Sequence, residues 1–361
     1  MPVPLFDTQT PLAPLRDELR AAIERVVDGG RFILGPEVEA FEREFATYLD
    51  VDHAVGVANG TEAITIALRA LGVGPGDEVI VPSFTFYASA EAIPPTGATP
   101  VFCDVDPETF MVTPETVRAA MTPKTKVAIV VHLFGNLAPV EEVEALGIPV
   151  LEDAAQAAGA RAADGRRAGT LGSAATFSFY PTKNLGAFGD GGAITTPYPD
   201  VAERVRTLRF HGSRDKVTYE EVGYNSRLDE LQAAILRVQL PHLDGWCDGR
   251  RAGARAYEGA GLGELVGLPV PTPGSSPAWH LYVIRDDDAA HLETALRAAG
   301  VECRGYYRTP VHRQAAMAPY APQHDLRGTD EAARTHLAVP IYPTFSEAQA
   351  TEVVRAVKAA G

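Results

Sequence analysis

The feature that most restricts the fold of this chain is an alternation between two kinds of segment from about Val51 to Phe210. Short apolar runs such as DEVIVPS, TPVFCDV and KVAIVVHL are followed by segments with helical periodicity, such as ETVRAAM and VEEVEAL. Strands that alternate with helices form βαβ units, in which the strands pair in parallel and helices cover the sheet. We therefore expect an α/β fold with a mostly parallel, buried central sheet.

Helical patterns flank the alternating region on both sides. LRDELRAAIERVV and EVEAFEREFATYL precede it and predict amphipathic helices. RLDELQAAILRVQL follows it and predicts a helix that Pro241 ends or kinks, because proline cannot donate a helical hydrogen bond. The remaining chain, with HLYVIR, HLETALRAAG and TEVVRAVKAA, is typical of a smaller α+β unit. We place the boundary near residue 245, between a large domain of residues 1–245 and a small domain of residues 246–361.

Composition excludes several classes of function. The 361 residues are 46% hydrophobic and carry a formal net charge of -15 without a basic run, so we expect no nucleic-acid partner. The three cysteines, Cys103, Cys247 and Cys303, are too few and scattered for a disulfide framework or a CxxC metal site, which favours a reducing cytoplasm. The amino terminus lacks the pattern of a signal peptide, and runs such as VAIVV are too short to span a bilayer. We expect neither a membrane association nor a bound metal.

The run HAVGVANGTEAITIAL leads from a strand directly into a helix through Asn59, Gly60 and Thr61. Free N–H groups and a hydroxyl at the first turn of a helix form a common site for phosphate. The same residues also serve as a simple helix cap. The motif alone does not choose between the two interpretations.

In IPVLEDAAQAAG, Asp153 directly follows an apolar run that predicts a buried strand. Ligands of open α/β sheets bind at the carboxyl ends of strands, where a carboxylate needs a cation as partner. A helix cap or a surface acid beside Glu152 is the alternative for an isolated acidic pair.

The stretch FSFYPTKNLGAFGDGGAI places Ser178 and Lys183 after another predicted strand and before a glycine-rich loop. A lone lysine is usually a solvated cation, but a desolvated lysine is favoured as a neutral amine and forms Schiff bases. Phosphate at Gly60 and Thr61, a ring cation at Asp153 and an aldehyde at Lys183 together predict a site for pyridoxal 5'-phosphate (PLP). Phe84, Phe86 and Tyr87 in PSFTFYASA follow a further strand, and spacing does not decide which of them lies on the ring.

The runs NGTEA, DEVIVPSFTF, EDAAQAAG, FSFYPTKNLGAFGDGGAI and GYNSRLDELQAAIL resemble, in order and at similar intervals, the DegT/DnrJ/StrS family of sugar aminotransferases. The resemblance weakens beyond about residue 245. It implies the PLP-dependent transferase fold of type I and a homodimer whose active sites form at the subunit interface.

Carried over to this sequence, the resemblance makes Lys183 the lysine that binds the aldehyde and Asp153 the partner of the ring nitrogen. Related dehydratases have a histidine in place of this lysine, so Lys183 favours transamination. The other cofactor positions are the ring-stacking residue, the residue beside the ring hydroxyl, the phosphate-binding residues and one residue from the other subunit: Phe86, Gln156, Gly60, Thr61, Ser178 and Asn225.

The resemblance also implies glutamate as amino donor and a keto sugar on a nucleoside diphosphate as acceptor. YPTKNLGAFGDGGA and RLDELQAAILRVQLPHL are most similar to the branch that aminates dTDP-3-keto-6-deoxyhexoses. In RGYYRTPVHRQ the family usually has a His-Tyr-Pro run, whereas this chain has Tyr306, Tyr307 and Arg308 before His312. Tyr306, Arg308 and His312 are the candidate substrate residues. A 4-keto sugar nucleotide, a cyclitol ketone and a non-catalytic regulatory role remain open as alternatives.

Overall fold

The computed structural model describes residues 2–361 and is built around a sheet of seven strands. In chain order these are β1 (His53–Val57), β2 (Glu78–Pro82), β3 (Thr99–Cys103), β4 (Thr125–Val131), β5 (Val150–Asp153), β6 (Ala174–Ser178) and β7 (Gly192–Thr196). Their order across the sheet is β1-β7-β6-β5-β4-β2-β3. Only β7 runs against its neighbours β1 and β6. The predicted α/β fold with a mostly parallel central sheet is confirmed.

The strands of this sheet are buried almost throughout, as expected for a parallel sheet that is covered on both faces. Twelve α-helices flank the two sheets of residues 2–361. They are α1 (Arg16–Gly29), α2 (Pro36–Leu49), α3 (Gly60–Ala70), α4 (Ala88–Glu91), α5 (Pro114–Ala120), α6 (Val140–Glu144), α7 (Pro199–Arg209), α8 (Glu230–Gln239), α9 (Leu243–Gly259), α10 (Ala289–Ala298), α11 (Arg327–Thr335) and α12 (Glu347–Ala360).

The helices predicted before and after the alternating region form α1, α2 and α8. Helix α8 ends at Gln239, and a short 3-10 turn, Leu240–His242, carries Pro241. The change from α to 3-10 geometry follows from the missing N–H of proline. The predicted end of the helix is therefore confirmed.

A buried carboxylate joins α2 to α8. Glu230, which is 1% exposed, accepts hydrogen bonds from the backbone N–H groups of Gly35, Glu37 and Val38 at 2.7 to 2.9 Å. These groups lie at the beginning of α2, where no carbonyl of the helix itself is available to them. Glu230 thus caps one helix from another.

A second, two-stranded antiparallel sheet lies in the carboxyl-terminal part of the chain, with β8 (Tyr282–Arg285) and β9 (His336–Val339). Its apolar core combines residues of this sheet with α9, α10 and α12, and it also includes Val3 from the beginning of the chain. The division of the chain near residue 245 stays a prediction, since α9 begins at Leu243 and runs across that position.

Two further observations concern the described residues. None of their helices has the length and apolar character needed to cross a membrane. Cys103, Cys247 and Cys303 are buried free thiols, and residues 2–361 contain no cluster of side chains suited to hold a metal ion.

Candidate cofactor site

A cavity of about 820 Å³ opens at the carboxyl ends of β1, β2, β5 and β6. This edge is where ligands of open α/β sheets bind. The wall contains the residues that sequence reasoning connected with a cofactor, except one: Gly60, Thr61, Phe86, Asp153, Gln156, Ser178 and Lys183 line it. Asn225 does not.

The beginning of α3 forms one end of the cavity. The Asn59 side chain caps this helix by accepting a hydrogen bond from the N–H of Glu62 at 2.8 Å. The preceding N–H groups, of Gly60 and Thr61, have no acceptor within the helix and lie at its positive end. The sequence left a helix cap and an anion site as alternatives. The two are compatible, because the Asn59 side chain forms the cap and the N–H groups of Gly60 and Thr61 stay available to an anion.

Close packing holds this turn against the neighbouring strands. A Cβ atom on Gly60 would lie 2.8 Å from the Cβ atom of Ser178, and one on Gly192 would lie 2.6 Å from the carbonyl oxygen of Asn59. Contacts this short exclude any side chain at the two glycines. The glycines therefore bring the Ser178 hydroxyl and the N-terminus of α3 to one place, as a phosphate site requires.

Asp153 is the last residue of β5 and is 5% exposed. The Ser89 hydroxyl donates a hydrogen bond to its Oδ2 at 2.7 Å, and the N–H of Ala155 donates one to Oδ1 at 3.2 Å. Ser89 in turn shares a hydrogen bond of 3.1 Å with the hydroxyl of Thr85. No arginine, lysine or histidine of residues 2–361 forms an ion pair with Asp153, so a buried carboxylate faces the cavity without a cation. Such a carboxylate suits a protonated ring nitrogen.

Lys183 follows β6 and lies partly buried in the wall of the same cavity. Its backbone N–H donates a hydrogen bond to the carbonyl of Tyr180 at 2.8 Å, which fixes the turn. Desolvation lowers the pKa of the Lys183 amine to about 8, while the negative charge of Asp153 acts in the opposite direction. An amine with such a pKa is partly neutral near pH 7, as nucleophilic attack on an aldehyde requires.

Phe86 and Gln156 also belong to the wall of this cavity. Phe86 is 55% exposed and presents its ring to the cavity, whereas Phe84 is fully buried. The structure therefore selects Phe86 over Phe84 as the candidate for stacking on the cofactor ring, a choice that sequence spacing did not allow. Gln156 is 7% exposed and directs its amide between Phe134 and Tyr307, to which it is hydrogen bonded.

Two of the three candidate substrate residues lie in the cavity wall. Tyr306 and Arg308 line the cavity, although the Arg308 guanidinium is hydrogen bonded to Glu293 and to the carbonyl of Arg334. His312 is not among the lining residues, and its Nδ1 atom is hydrogen bonded to the Ser83 hydroxyl.

Asn225 lies on the surface, outside the cavity of its own chain. Its side-chain oxygen accepts a hydrogen bond from Arg227. A role for Asn225 in this protomer's own cavity therefore has no support in the structure.

Sequence reasoning missed several residues of the site. Ser89 and Thr85 support Asp153, Tyr307 lines the cavity and contacts Gln156, and Gln314 also lines the cavity. His280 also lines it, and its Nδ1 atom is buried without a hydrogen-bond partner in the described chain. Ser89 lies in the quoted run PSFTFYASA, but a lone serine gives no signal by which to choose it.

The arrangement fits one kind of group. A carboxylate without a cation, an amine of lowered pKa and a free helix N-terminus face one cavity beside an exposed aromatic ring, and these match the ring nitrogen, aldehyde and phosphate of PLP. Fold and site together define an enzyme of the PLP-dependent type.

Comparison with known proteins identifies the family. The model of the DegT/DnrJ/EryC1/StrS aminotransferase family matches residues 14–358, so the chain belongs to this family and is an aminotransferase. The predicted family and PLP-dependent fold are confirmed.

Two relatives and one solved structure are similar over nearly the full length. The dTDP-3-amino-3,4,6-trideoxy-alpha-D-glucose transaminase of Streptomyces venezuelae is 47% identical, over 99% of this chain and 95% of the relative. A pleiotropic regulatory protein of Geobacillus stearothermophilus is 44% identical, over 98% and 97%. The crystal structure of S. venezuelae DesV superimposes with a TM-score of 0.95 at 47% identity, over 99% of this chain and 98% of DesV.

Aminotransferases of this family depend on PLP, which confirms the predicted cofactor. A related structure, NtdA from Bacillus subtilis, contains bound PMP, the aminated form of the cofactor. NtdA is 30% identical, over 95% of this chain and 81% of NtdA, with a TM-score of 0.88.

Proposed function

We propose that this protein transfers an amino group from glutamate to a nucleotide-linked keto sugar, in particular a dTDP-3-keto-6-deoxyhexose. The observation that carries the proposal is that Asp153 and Lys183 both line one cavity at the N-terminus of α3. The names of similar proteins support the acceptor, since the S. venezuelae relative is a transaminase for a dTDP-linked 3-amino sugar.

Six residues of the wall would hold the cofactor. The N–H groups of Gly60 and Thr61 and the Ser178 hydroxyl would bind its phosphate, and Phe86 would lie on its ring. Gln156 would donate a hydrogen bond to the ring hydroxyl. Asp153, held by Ser89, would keep the ring nitrogen protonated.

When bound, PLP supplies an electron sink that stabilises negative charge at the reacting carbon. Lys183 would hold the aldehyde of the bound cofactor, and its amine, when free, would move a proton between the substrate and the cofactor. Its pKa of about 8 suits this exchange near neutral pH.

The mouth of the cavity offers groups for a nucleotide sugar. The Arg304 guanidinium lies 5.0 Å from the centre of the Tyr306 ring, and both residues line the cavity. Arg308 and Arg313 are paired with Glu293 and Asp330, which leaves Arg304 as the better candidate for a diphosphate. We propose Tyr306 as a sugar contact and retain Arg308 as a weaker candidate; His312 has no support from its position.

We also propose a homodimer with shared active sites. The exposed loop near residue 220 carries apolar side chains that are unusual on a free surface: Val217 is 81%, Val222 83% and Tyr219 60% exposed. Asn225 follows this loop. Its exposed position supports a role in the partner's cavity.

Mixing two inactive variants tests the shared sites. If Asn225 serves the partner's cavity, Lys183→Ala and Asn225→Leu subunits, refolded together, regain up to about a quarter of the wild-type sites, because each mixed dimer contains one intact site. No recovery, with mixed dimers demonstrated by separating differently tagged subunits, would show that Asn225 does not act in the partner's cavity.

The visible absorbance of the purified protein tests the cofactor and the donor. Absorbance of bound PLP that bleaches when glutamate is added establishes the first half of the reaction. Lys183→Ala should show no turnover, and normal steady-state rates in this variant would refute the assignment.

A panel of acceptors tests the second half. The glutamate-treated enzyme is offered a dTDP-3-keto sugar, a dTDP-4-keto sugar and a keto-inositol, and recovery of the original absorbance is recorded for each. Fastest recovery with the 3-keto sugar supports the proposal, whereas preference for either other ketone would replace it with that alternative. Failure to bind added PLP would favour the regulatory alternative, a role that the name of the Geobacillus relative also suggests.

We propose a reducing compartment, the cytoplasm, as the location of the protein. Three buried free thiols support this assignment.

A further inference from the structure

Tyr307 lines the cofactor cavity and is also hydrogen bonded to another residue of its wall, Gln156. Its hydroxyl accepts a hydrogen bond from Nε2 of Gln156 at 3.2 Å. Burial raises the pKa of the Tyr307 hydroxyl, which therefore stays protonated and neutral at physiological pH. The residue comes from the carboxyl-terminal part of the chain, whereas Gln156 follows β5 of the central sheet.

The orientation of the Gln156 amide is fixed by its two partners. The backbone N–H of Phe134 donates a hydrogen bond at 2.6 Å, and only the oxygen Oε1 of the amide is able to accept it. Nε2 must then face Tyr307. Because Nε2 has two hydrogens, one is available to Tyr307 and the other to the cavity, which Gln156 lines.

The backbone holds both partners in place at a conformational cost. Tyr307 has φ of 63° and Phe134 has φ of 60°, values in the left-handed region that residues with a side chain rarely adopt. Their rings stack with centroids 6.1 Å apart and planes 7° apart. Tyr307 also lies 6.3 Å from the ring of Phe86. Backbone strain that is maintained by packing on both sides is a common feature of functional sites.

We infer that Tyr307 is a positioning residue, which orients the Gln156 amide toward the ring hydroxyl of the cofactor. The inference rests on the proposed position of Gln156 beside that hydroxyl. Tyr307 was not among the substrate residues chosen from the sequence, and its neighbour Tyr306 has no contact of this kind with Gln156.

The inferred role has a spectroscopic signature. A hydrogen bond donated to the ring oxygen stabilises its anionic form, so loss of this bond raises the pH at which the visible absorbance of bound PLP changes. The rise expected for one hydrogen bond is roughly 0.5 to 1 pH unit. The midpoint of this pH titration is measured without the amino donor and without the sugar acceptor.

Tyr307→Phe removes the hydroxyl and keeps the stacked ring. We expect the midpoint in the PLP-bound variant to rise by roughly 0.5 to 1 pH unit, the effect of an amide that is free to turn away. Gln156→Ala should raise the midpoint by at least as much. In the double variant, Tyr307→Phe should add nothing.

Tyr257→Phe is the matched control, since Tyr257 is a fully buried tyrosine whose hydroxyl donates a hydrogen bond to the carbonyl of Pro340 at 2.7 Å. It should lower the melting temperature and leave the midpoint unchanged. An unchanged midpoint in Tyr307→Phe, or an equal shift with and without Gln156, would overturn the role of Tyr307 alone. An unchanged midpoint in Gln156→Ala would overturn the proposed position of Gln156 and the inference with it.

Discussion

The lowered pKa of Lys183 gives a prediction with a magnitude. Desolvation moves the pKa of this amine from its ordinary value of 10.5 to about 8. At pH 7 the neutral fraction of the amine is then roughly 300-fold larger than for an ordinary lysine. Because only the neutral amine attacks an aldehyde, the rate at which the apoprotein binds PLP should rise with pH and level off above a midpoint near 8.

Asp153→Asn changes this midpoint in a known direction. The negative charge of Asp153 raises the pKa of Lys183 against the larger effect of desolvation. An uncharged asparagine removes that attraction for the proton, so the pKa of Lys183 should fall and the midpoint should move below that of the wild type. The amide also keeps the shape of the site, although weaker final binding of PLP is expected.

The assay is the appearance of visible absorbance after apoprotein is mixed with PLP, followed by stopped flow between pH 6 and 10. The Lys183→Ala variant measures the reaction of PLP with other amines, and this background is subtracted. The midpoint is taken from the rate of the absorbance change and not from its amplitude. A midpoint near 10 in the wild type would refute the desolvated amine. Movement to higher pH in Asp153→Asn would refute the charge interaction between the two residues.

Three further changes test the site and its support. Gly60→Ala places a Cβ atom 2.8 Å from the Cβ atom of Ser178 and should weaken PLP binding roughly tenfold or more. Gly74→Ala is the control, because a Cβ atom there meets open space, and its affinity for PLP should not change. Glu230→Gln removes the anionic acceptor of three backbone N–H groups and should lower the free energy of unfolding in urea by roughly 2 to 3 kcal/mol. Ser89→Ala removes the hydrogen bond to Asp153 and should weaken PLP binding, measured by equilibrium dialysis, roughly tenfold; unchanged affinity would show that Ser89 does not hold the carboxylate.

Much of the fold was predictable because the alternation of strands and helices is local in sequence. DEVIVPS, KVAIVVHL and the run before Asp153 became β2, β4 and β5, since buried parallel strands need continuous apolar side chains. The reversed direction of β7 was not predicted. Residues 192–196 are as buried as a parallel strand, and nothing in their pattern encodes direction.

The candidate site was predictable to the extent that one rule of geometry applies. Residues that follow parallel strands meet at one edge of the sheet. This rule predicts that Gly60, Asp153 and Lys183 lie close together, and all three line one cavity. Tyr307 follows no strand of that sheet. It reaches Gln156 because residues 304–309 line the cavity and Tyr307 itself has a left-handed backbone conformation. Tyrosine has no preference for that conformation, so the sequence gives no sign of it. Gln156 and Tyr307 are 151 residues apart in the sequence, and tertiary packing determines their contact. Residues that orient a site are therefore harder to find from sequence than the residues that form it.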